Sequence, residues 1–122
     1  MSDFSPGTQL LIDHRGGKGM NDPALLEAAI RDAVLAQDLD IVAATITKAP
    51  GRDGVTGAVI LSEGIVAVHS WADQNYASFD VLAPGEGVAK KIADALARAL
   101  LPDWTQIKAQ KRNDFTPLPP AT

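Results

Sequence analysis

Between Val55 and Leu82 the chain passes three times through apolar strand-like sequence, each pass cut short by a turn signal, and this spacing most restricts its fold. Val55 to Leu61 reads as a strand, Ile65 to Trp71 as an alternating one, and Tyr76 to Leu82 as a third. Pro50-Gly51-Arg52-Asp53-Gly54 is a hairpin-like turn before the first. Glu63-Gly64 breaks the first from the second, and Ala72 to Asn75 turns between the second and third. Connections this short join antiparallel neighbours, because parallel strands need a crossover of about a dozen residues or more.

The flanking segments supply the second layer. Thr8 to His14 reads as a first strand, with Leu10 and Ile12 on one face and Leu11 on the other, followed by a Gly-rich connector, Arg15 to Gly19. That connector lacks the spacing of a phosphate-binding loop. Asp22-Pro23 is a helix start, with Asp as N-cap and Pro at the first helical position. Leu25, Leu26, Ala29, Ile30, Ala33 and Val34 then form one apolar stripe, with a helix end expected near Gln37 or Asp38. Ile41 to Thr47 alternates as a strand, Ile41, Ala43, Thr45 and Thr47 against Val42, Ala44 and Ile46. Val88 to Leu101 predicts a second amphipathic helix, Val88, Ile92, Ala95, Leu96, Ala99 and Leu100 facing inward; Pro102 stops it, and Trp104 to Gln110 reads as a last strand. The order βαβββ(β)αβ predicts an α+β fold, an antiparallel β-sheet with two helices on one face. The other face needs cover, which a symmetric homodimer would provide.

A chain of 122 residues suits one domain. The expected division is a lead-in at 1–6, a domain at 7–111 and a Pro-rich flexible tail at 112–122, which carries Pro117, Pro119 and Pro120. The net charge of -4 and scattered Lys and Arg argue against nucleic acid as a partner. With no cysteine, disulfides, thiolate metal ligands and a Cys nucleophile are excluded. His14 and His69 lie far apart with no clear third ligand, so no metal site is expected. No apolar run approaches the roughly 18 residues that span a bilayer, and residues 1–10 lack a signal-peptide pattern; a cytoplasmic protein with no membrane partner is expected.

Three segments carry a resemblance. Gly7 to Asp13 reads G-T-Q-L-L-I-D, Gly54 to Glu63 reads G-V-T-G-A-V-I-L-S-E, and His69 to Asp80 reads H-S-W-A-D-Q-N-Y-A-S-F-D. In this order and spacing they resemble the small bacterial pyruvoyl-dependent S-adenosylmethionine decarboxylases, whose self-cleaving segment reads S-E-S-H-x-x-x-H-T-W-P-E-x-x-Y-A-x-x-D-x-x-x-C-G. The resemblance runs from Gly7 to about Lys111 and implies that family's fold. It also implies a link to polyamine (spermidine) biosynthesis, with S-adenosylmethionine or a related small molecule as ligand. In the family the second Ser of the segment attacks the preceding carbonyl, the chain is cut, and the new terminus becomes the pyruvoyl electron sink.

Here that position is Gly64, which has no hydroxyl, so no pyruvoyl cofactor is expected. The family's proton-donor Cys falls on Pro84, its His after the Ser on Ile65, and the turn with its adenine-packing aromatic on Pro50. Other family positions are kept. His69 matches the processing His and Thr56 a processing Ser. Glu63 precedes the cleavage position, Asp73 matches an acid near the substrate, and Tyr76 and Asp80 also match. His69 is either a retained polar group of the site or a half-buried strand histidine held by packing. Glu63 and Asp73 read as an acid/base pair or as exposed turn carboxylates. Trp71 and Tyr76 read as ligand-stacking or as packing residues, and Trp104 as core or interface. Ser62 lies two residues before Gly64 and shares its face if the strand continues, about 6.6 Å away.

The expectation is therefore a binding or regulatory homologue that does not process itself, as a homodimer or with an active decarboxylase as partner. The alternative is an active decarboxylase of S-adenosylmethionine or a related amino acid, working by a departed mechanism through Ser62 or His69.

Overall fold

The computed structural model describes residues 4–114. The chain runs β1 (Thr8–Arg15), α1 (Pro23–Leu35), β2 (Ile41–Lys48), β3 (Val55–Leu61), β4 (Gly64–Trp71), β5 (Tyr76–Ala83), α2 (Glu86–Leu100) and β6 (Trp104–Lys111), with a single 3-10 turn at Ala72–Gln74. The strands form one sheet in the order β2-β3-β4-β5-β1-β6, with every neighbouring pair antiparallel. The two helices pack on one face of it. The α+β expectation is thus what the chain adopts, and all six strands lie where the alternation placed them to within a residue or two.

Period-two alternation explains the core. Leu10, Ile12, Val59, Val66, Val68, Phe79 and Val81 point to the helices and are buried, as are Leu26, Ile30, Ala33 and Val34 of α1 and Ile92, Leu96 and Leu100 of α2. Asp22 caps α1 by accepting the Leu25 N–H at 3.1 Å, with Pro23 opening the helix. The helix stops at Leu35, two or three residues short of the expected end, and Asp38 sits in the left-handed region (φ 58). In α2 the inner face is rotated from the expected one: Ala89 and Ala93 are buried while Ala99 is exposed. The expected alternation of β2 holds only from Ala43 on. A bulge between Ile41 and Ala43 inserts one residue, which returns Ile41 to the face of Ala44 and Ile46 and leaves Val42 exposed.

Residues 4–7 at the start of the described chain are tied to residues 112 and 113. The Asn113 side-chain amide donates to the Phe4 carbonyl at 2.7 Å, the Ser5 hydroxyl to the Arg112 carbonyl at 2.7 Å, and the Arg112 N–H to the Gly7 carbonyl at 3.0 Å. Residues 112–114 of the expected tail therefore belong with the sheet; residues 115–122 lie outside the described residues.

His14 points into the helix face and is 1% exposed, its ring tilted 57° to that of Phe79 with centroids 5.0 Å apart. Its Nε2 has no hydrogen-bond partner among the described residues. Burial pushes its pKa below the ordinary value, against the opposing pull of Asp13. The unfolded chain therefore takes up this proton at a pH where the folded chain does not. Stability should be level above about pH 6.5 as far as His14 is concerned. Below that it should fall, at no more than about 1.4 kcal/mol per pH unit, until the lowered folded-state pKa is passed. Urea unfolding at pH 7.5 and 5.5, compared with His14→Leu, checks this: the variant should lose less stability over that interval than the parent.

Candidate functional site

The sheet face away from the helices is open, and strand register sorts it into rows. Ala43, Ile60, Ile65, Leu82, Gln9 and Gln110 face one another across the six strands, and next to them lie Thr45, Ala58, Ala67, Asp80, Leu11 and Lys108. The third row is polar throughout: Thr47, Thr56, His69, Ser78, Asp13 and Gln106. The fourth holds Trp71, Tyr76, Arg15 and Trp104. The face thus grades from apolar at the Gly64 end to polar and then aromatic and cationic at the other.

The expected site residues fall into two groups. Thr56 and His69 are cross-strand partners and share a 2.9 Å hydrogen bond between Oγ1 and Nδ1, the hydroxyl donating when the ring proton sits on Nε2. His69 is exposed, so it is not a half-buried strand histidine held by packing. Trp71 and Tyr76 stack with centroids 5.5 Å apart, and His69 lies 6.1 Å from the Trp71 ring. The Tyr76 hydroxyl donates to Asp13 Oδ1 at 2.6 Å. That bond, followed by desolvation, holds the phenol above its ordinary pKa, so Tyr76 keeps its proton and acts as a donor. Asp73 is exposed in the 3-10 turn and accepts from the Gln74 amide at 3.3 Å.

Glu63, Gly64 and Pro84 form the other group. Gly64 is five residues along β4 from His69, a separation of roughly 17 Å in an extended strand. Glu63 and Pro84 line a cavity of about 360 Å³ with Phe4, Ser5, Pro6 and Leu82. Glu63 and Asp73 are therefore at opposite ends of the sheet and cannot act as a pair within one chain. Ser62 sits in the two-residue β3–β4 turn, its N–H donating to the Asp40 carbonyl at 3.1 Å, so strand periodicity does not aim it at the position of Gly64.

Gly64 itself is closely packed. A Cβ built there would overlap the Leu82 carbonyl oxygen, well under the 3.0 Å that real Cβ atoms keep. A side chain of any kind, serine included, requires β5 to move.

Two residues escaped the sequence reading. Arg52 lies over the Trp71 ring at 4.6 Å and donates to the backbone carbonyls of Ser70 and Asp53. Arg52 and Tyr76 thus both pack against the Trp71 ring. Ser70 is fully buried; its hydroxyl donates to the Met20 carbonyl at 2.7 Å and accepts the Val55 N–H at 2.9 Å. It fixes the strand between His69 and Trp71. Nothing in their spacing marks either residue, because both act through backbone groups brought close by the fold. Trp104, read as core or interface, is 47% exposed with Arg15 5.7 Å from its ring centre.

Comparison with known proteins places these observations. Residues 8–113 match the family described as S-adenosylmethionine decarboxylase. The S-adenosylmethionine decarboxylase proenzyme of Thermomicrobium roseum is 32% identical over 82 residues, 67% of this chain and 71% of that protein. The one from Anoxybacillus flavithermus is 37% identical over 82 residues, 66% of this chain and 64% of that protein. A proenzyme of Methanococcus maripaludis is 28% identical over 109 residues, covering 87% of this chain and 88% of its own. Among solved structures, the adenosylmethionine decarboxylase from Aquifex aeolicus superposes with a TM-score of 0.79 at 18% identity, covering 96% of this chain and 98% of the other. No helix among the described residues is long and apolar enough to cross a membrane.

Proposed function

This chain belongs to the S-adenosylmethionine decarboxylase family, and on that premise we propose that it is a member that stays uncut and holds a ligand without pyruvoyl-dependent turnover. It acts as a binding or regulatory homologue linked to polyamine biosynthesis, taking S-adenosylmethionine or a related small molecule on the polar row of the open face and on the Trp71–Tyr76 pair. The observation that carries this reading is Gly64: it has no hydroxyl, and the Leu82 carbonyl leaves no room for a Cβ. Within the proposal His69, Thr56, Tyr76 and Asp73 orient polar groups of the ligand, and Trp71 offers a ring once Arg52 swings aside. Denaturing intact-mass measurement tests it. One species near 12.8 kDa is expected; two fragments, one with a blocked N-terminus, would sink the reading.

The same proposal includes a homodimer. Leu11 (45% exposed) and Ile60 (39%) stand on the open face with Ile65, Ala67 and Leu82, an apolar patch that a second copy would cover. Two faces stacked about a two-fold axis would also set the His69 group of one copy against the Gly64 end of the other, closing the roughly 17 Å gap. Ile60→Lys should turn a dimer into a monomer by light scattering, with the circular dichroism unchanged. A parent protein that is monomeric at 100-micromolar order would remove the dimer from the proposal.

The Thr56–His69 hydrogen bond favours one alternative, decarboxylation by a departed mechanism through His69 or Ser62. Release of labelled carbon dioxide, lost in His69→Ala, would establish it; no turnover with S-adenosylmethionine or related amino acids would dismiss it.

A further inference from the structure

We propose that the chain carries a second small-molecule site, for a monocarboxylate, in the cleft lined by Arg15, Gln74, Asn75 and Tyr76. The cleft holds about 390 Å³ and sits at the end of the open face farthest from Gly64. The cleft shares Tyr76 with the ligand site proposed above but rests neither on the binding role given to His69 nor on the oligomer.

The cation comes first. Arg15 lies between two aromatic neighbours in register, Tyr76 on β5 and Trp104 on β6, with its guanidinium carbon 5.7 Å from the Trp104 ring centre. Aromatic flanks restrict a guanidinium while leaving its N–H edge free to fork onto a carboxylate. No carboxylate lies within 4.0 Å of that guanidinium among the described residues, whose ion pairs are Arg31–Glu27 and Lys90–Asp94. The other residues that line the cleft, Gln74, Asn75 and Tyr76, are uncharged. Gln74 and Asn75 bring side-chain amides, and the Gly16 N–H to Asn75 carbonyl bond at 3.0 Å ties the β4–β5 turn to the end of β1.

The charge of the lining sets the class of anion. Asp13 already accepts the Tyr76 hydroxyl at 2.6 Å, and Asp73 accepts the Gln74 amide at 3.3 Å. Asp103 follows β1 closely, its N–H on the Arg15 carbonyl at 2.8 Å. A single guanidinium in an otherwise uncharged lining balances one negative charge and leaves the second charge of a dianion such as phosphate unpaired. The Tyr76 ring, with its hydroxyl turned to Asp13, gives an apolar wall for the body of the ligand. The shape and charge suit a small flat or branched monocarboxylate.

Benzoate is a fitting probe, with benzamide as its uncharged isostere and inorganic phosphate as the dianion. In titrations of the isotope-labelled full chain followed by nuclear magnetic resonance, benzoate should shift the side-chain amides of Gln74 and Asn75 and the Tyr76 backbone amide. Benzamide and phosphate should bind at least tenfold more weakly, the scale of one charge-assisted hydrogen-bonded pair. Arg15→Gln should lower benzoate affinity by tenfold or more, and Arg15→Lys, which keeps the charge without the fork, by less. Trp104→Ala should cost about threefold by loosening the guanidinium. Arg15 is exposed, so these variants should melt with the parent. Equal binding of benzoate and benzamide, tighter binding of phosphate, or an unaffected Arg15→Gln would each overturn the site.

Discussion

Gly64→Ser is expected to leave the chain in one piece and to make it less stable. On the family pattern alone, restoring the hydroxyl should restore cleavage, since Glu63, Thr56 and His69 are all present. Packing argues the other way. The new Cβ must displace the Leu82 carbonyl, which belongs to a strand paired on both sides, with β4 and with β1. Overpacking against backbone costs about 2 kcal/mol, which in a chain of this size lowers the melting temperature by roughly 8 °C. The hydroxyl also arrives in an extended strand roughly 17 Å from His69 of the same chain, so that histidine does not reach it. Denaturing mass spectrometry and a melting curve on one sample read both effects. A cleaved product, or an unchanged melting point, would show that β5 yields easily and that the glycine is a single lost residue on a frame still able to process itself.

Ser70→Ala should be the most damaging conservative change near the candidate site. Its hydroxyl holds two backbone groups from separate parts of the chain, the Val55 N–H at the start of β3 and the Met20 carbonyl before α1. Alanine fits the space and leaves both groups buried without that partner. Each costs about 1–3 kcal/mol when unmade, so a total near 3 kcal/mol and a fall of roughly 10 °C are expected. Ser70 lies between His69 and Trp71, so ligand binding on the polar row should weaken as well. Chemical unfolding measures the first effect and titration of the folded variant the second. A loss under about 1 kcal/mol would mean that water replaces the hydroxyl there.

Local rules read the elements well because they are local. Asp22 and Pro23 fix the start of α1 through one cap and one restricted dihedral, and short turns around Glu63-Gly64 and Ala72 to Asn75 allow only antiparallel neighbours. Insertion of β1 between β5 and β6 depends on contacts more than 60 residues apart and leaves no local mark. The same limit applies to the site. Strand parity put His69 and Trp71 on one face and identified the residues that the family pattern keeps. Which end of the sheet each occupied followed from register, and register separated Glu63 from Asp73. Arg52 was invisible as a partner of Trp71 because its place comes from a loop folding back over a neighbouring strand. The β2 bulge shifted Ile41 for a similar reason, since one extra residue changes parity without changing composition.

The position of β1 has a mechanical consequence. Divided at the Glu63–Gly64 bond, the chain would give one piece holding β1, β2 and β3 and another holding β4, β5 and β6. The order β2-β3-β4-β5-β1-β6 shuffles these pieces like cards, so that three of the five ladders join one piece to the other. A nicked molecule would keep its outline, its helices and its sheet, held shut by interleaving. On the proposal that this chain stays uncut, the same interleaving comes with the thread unbroken.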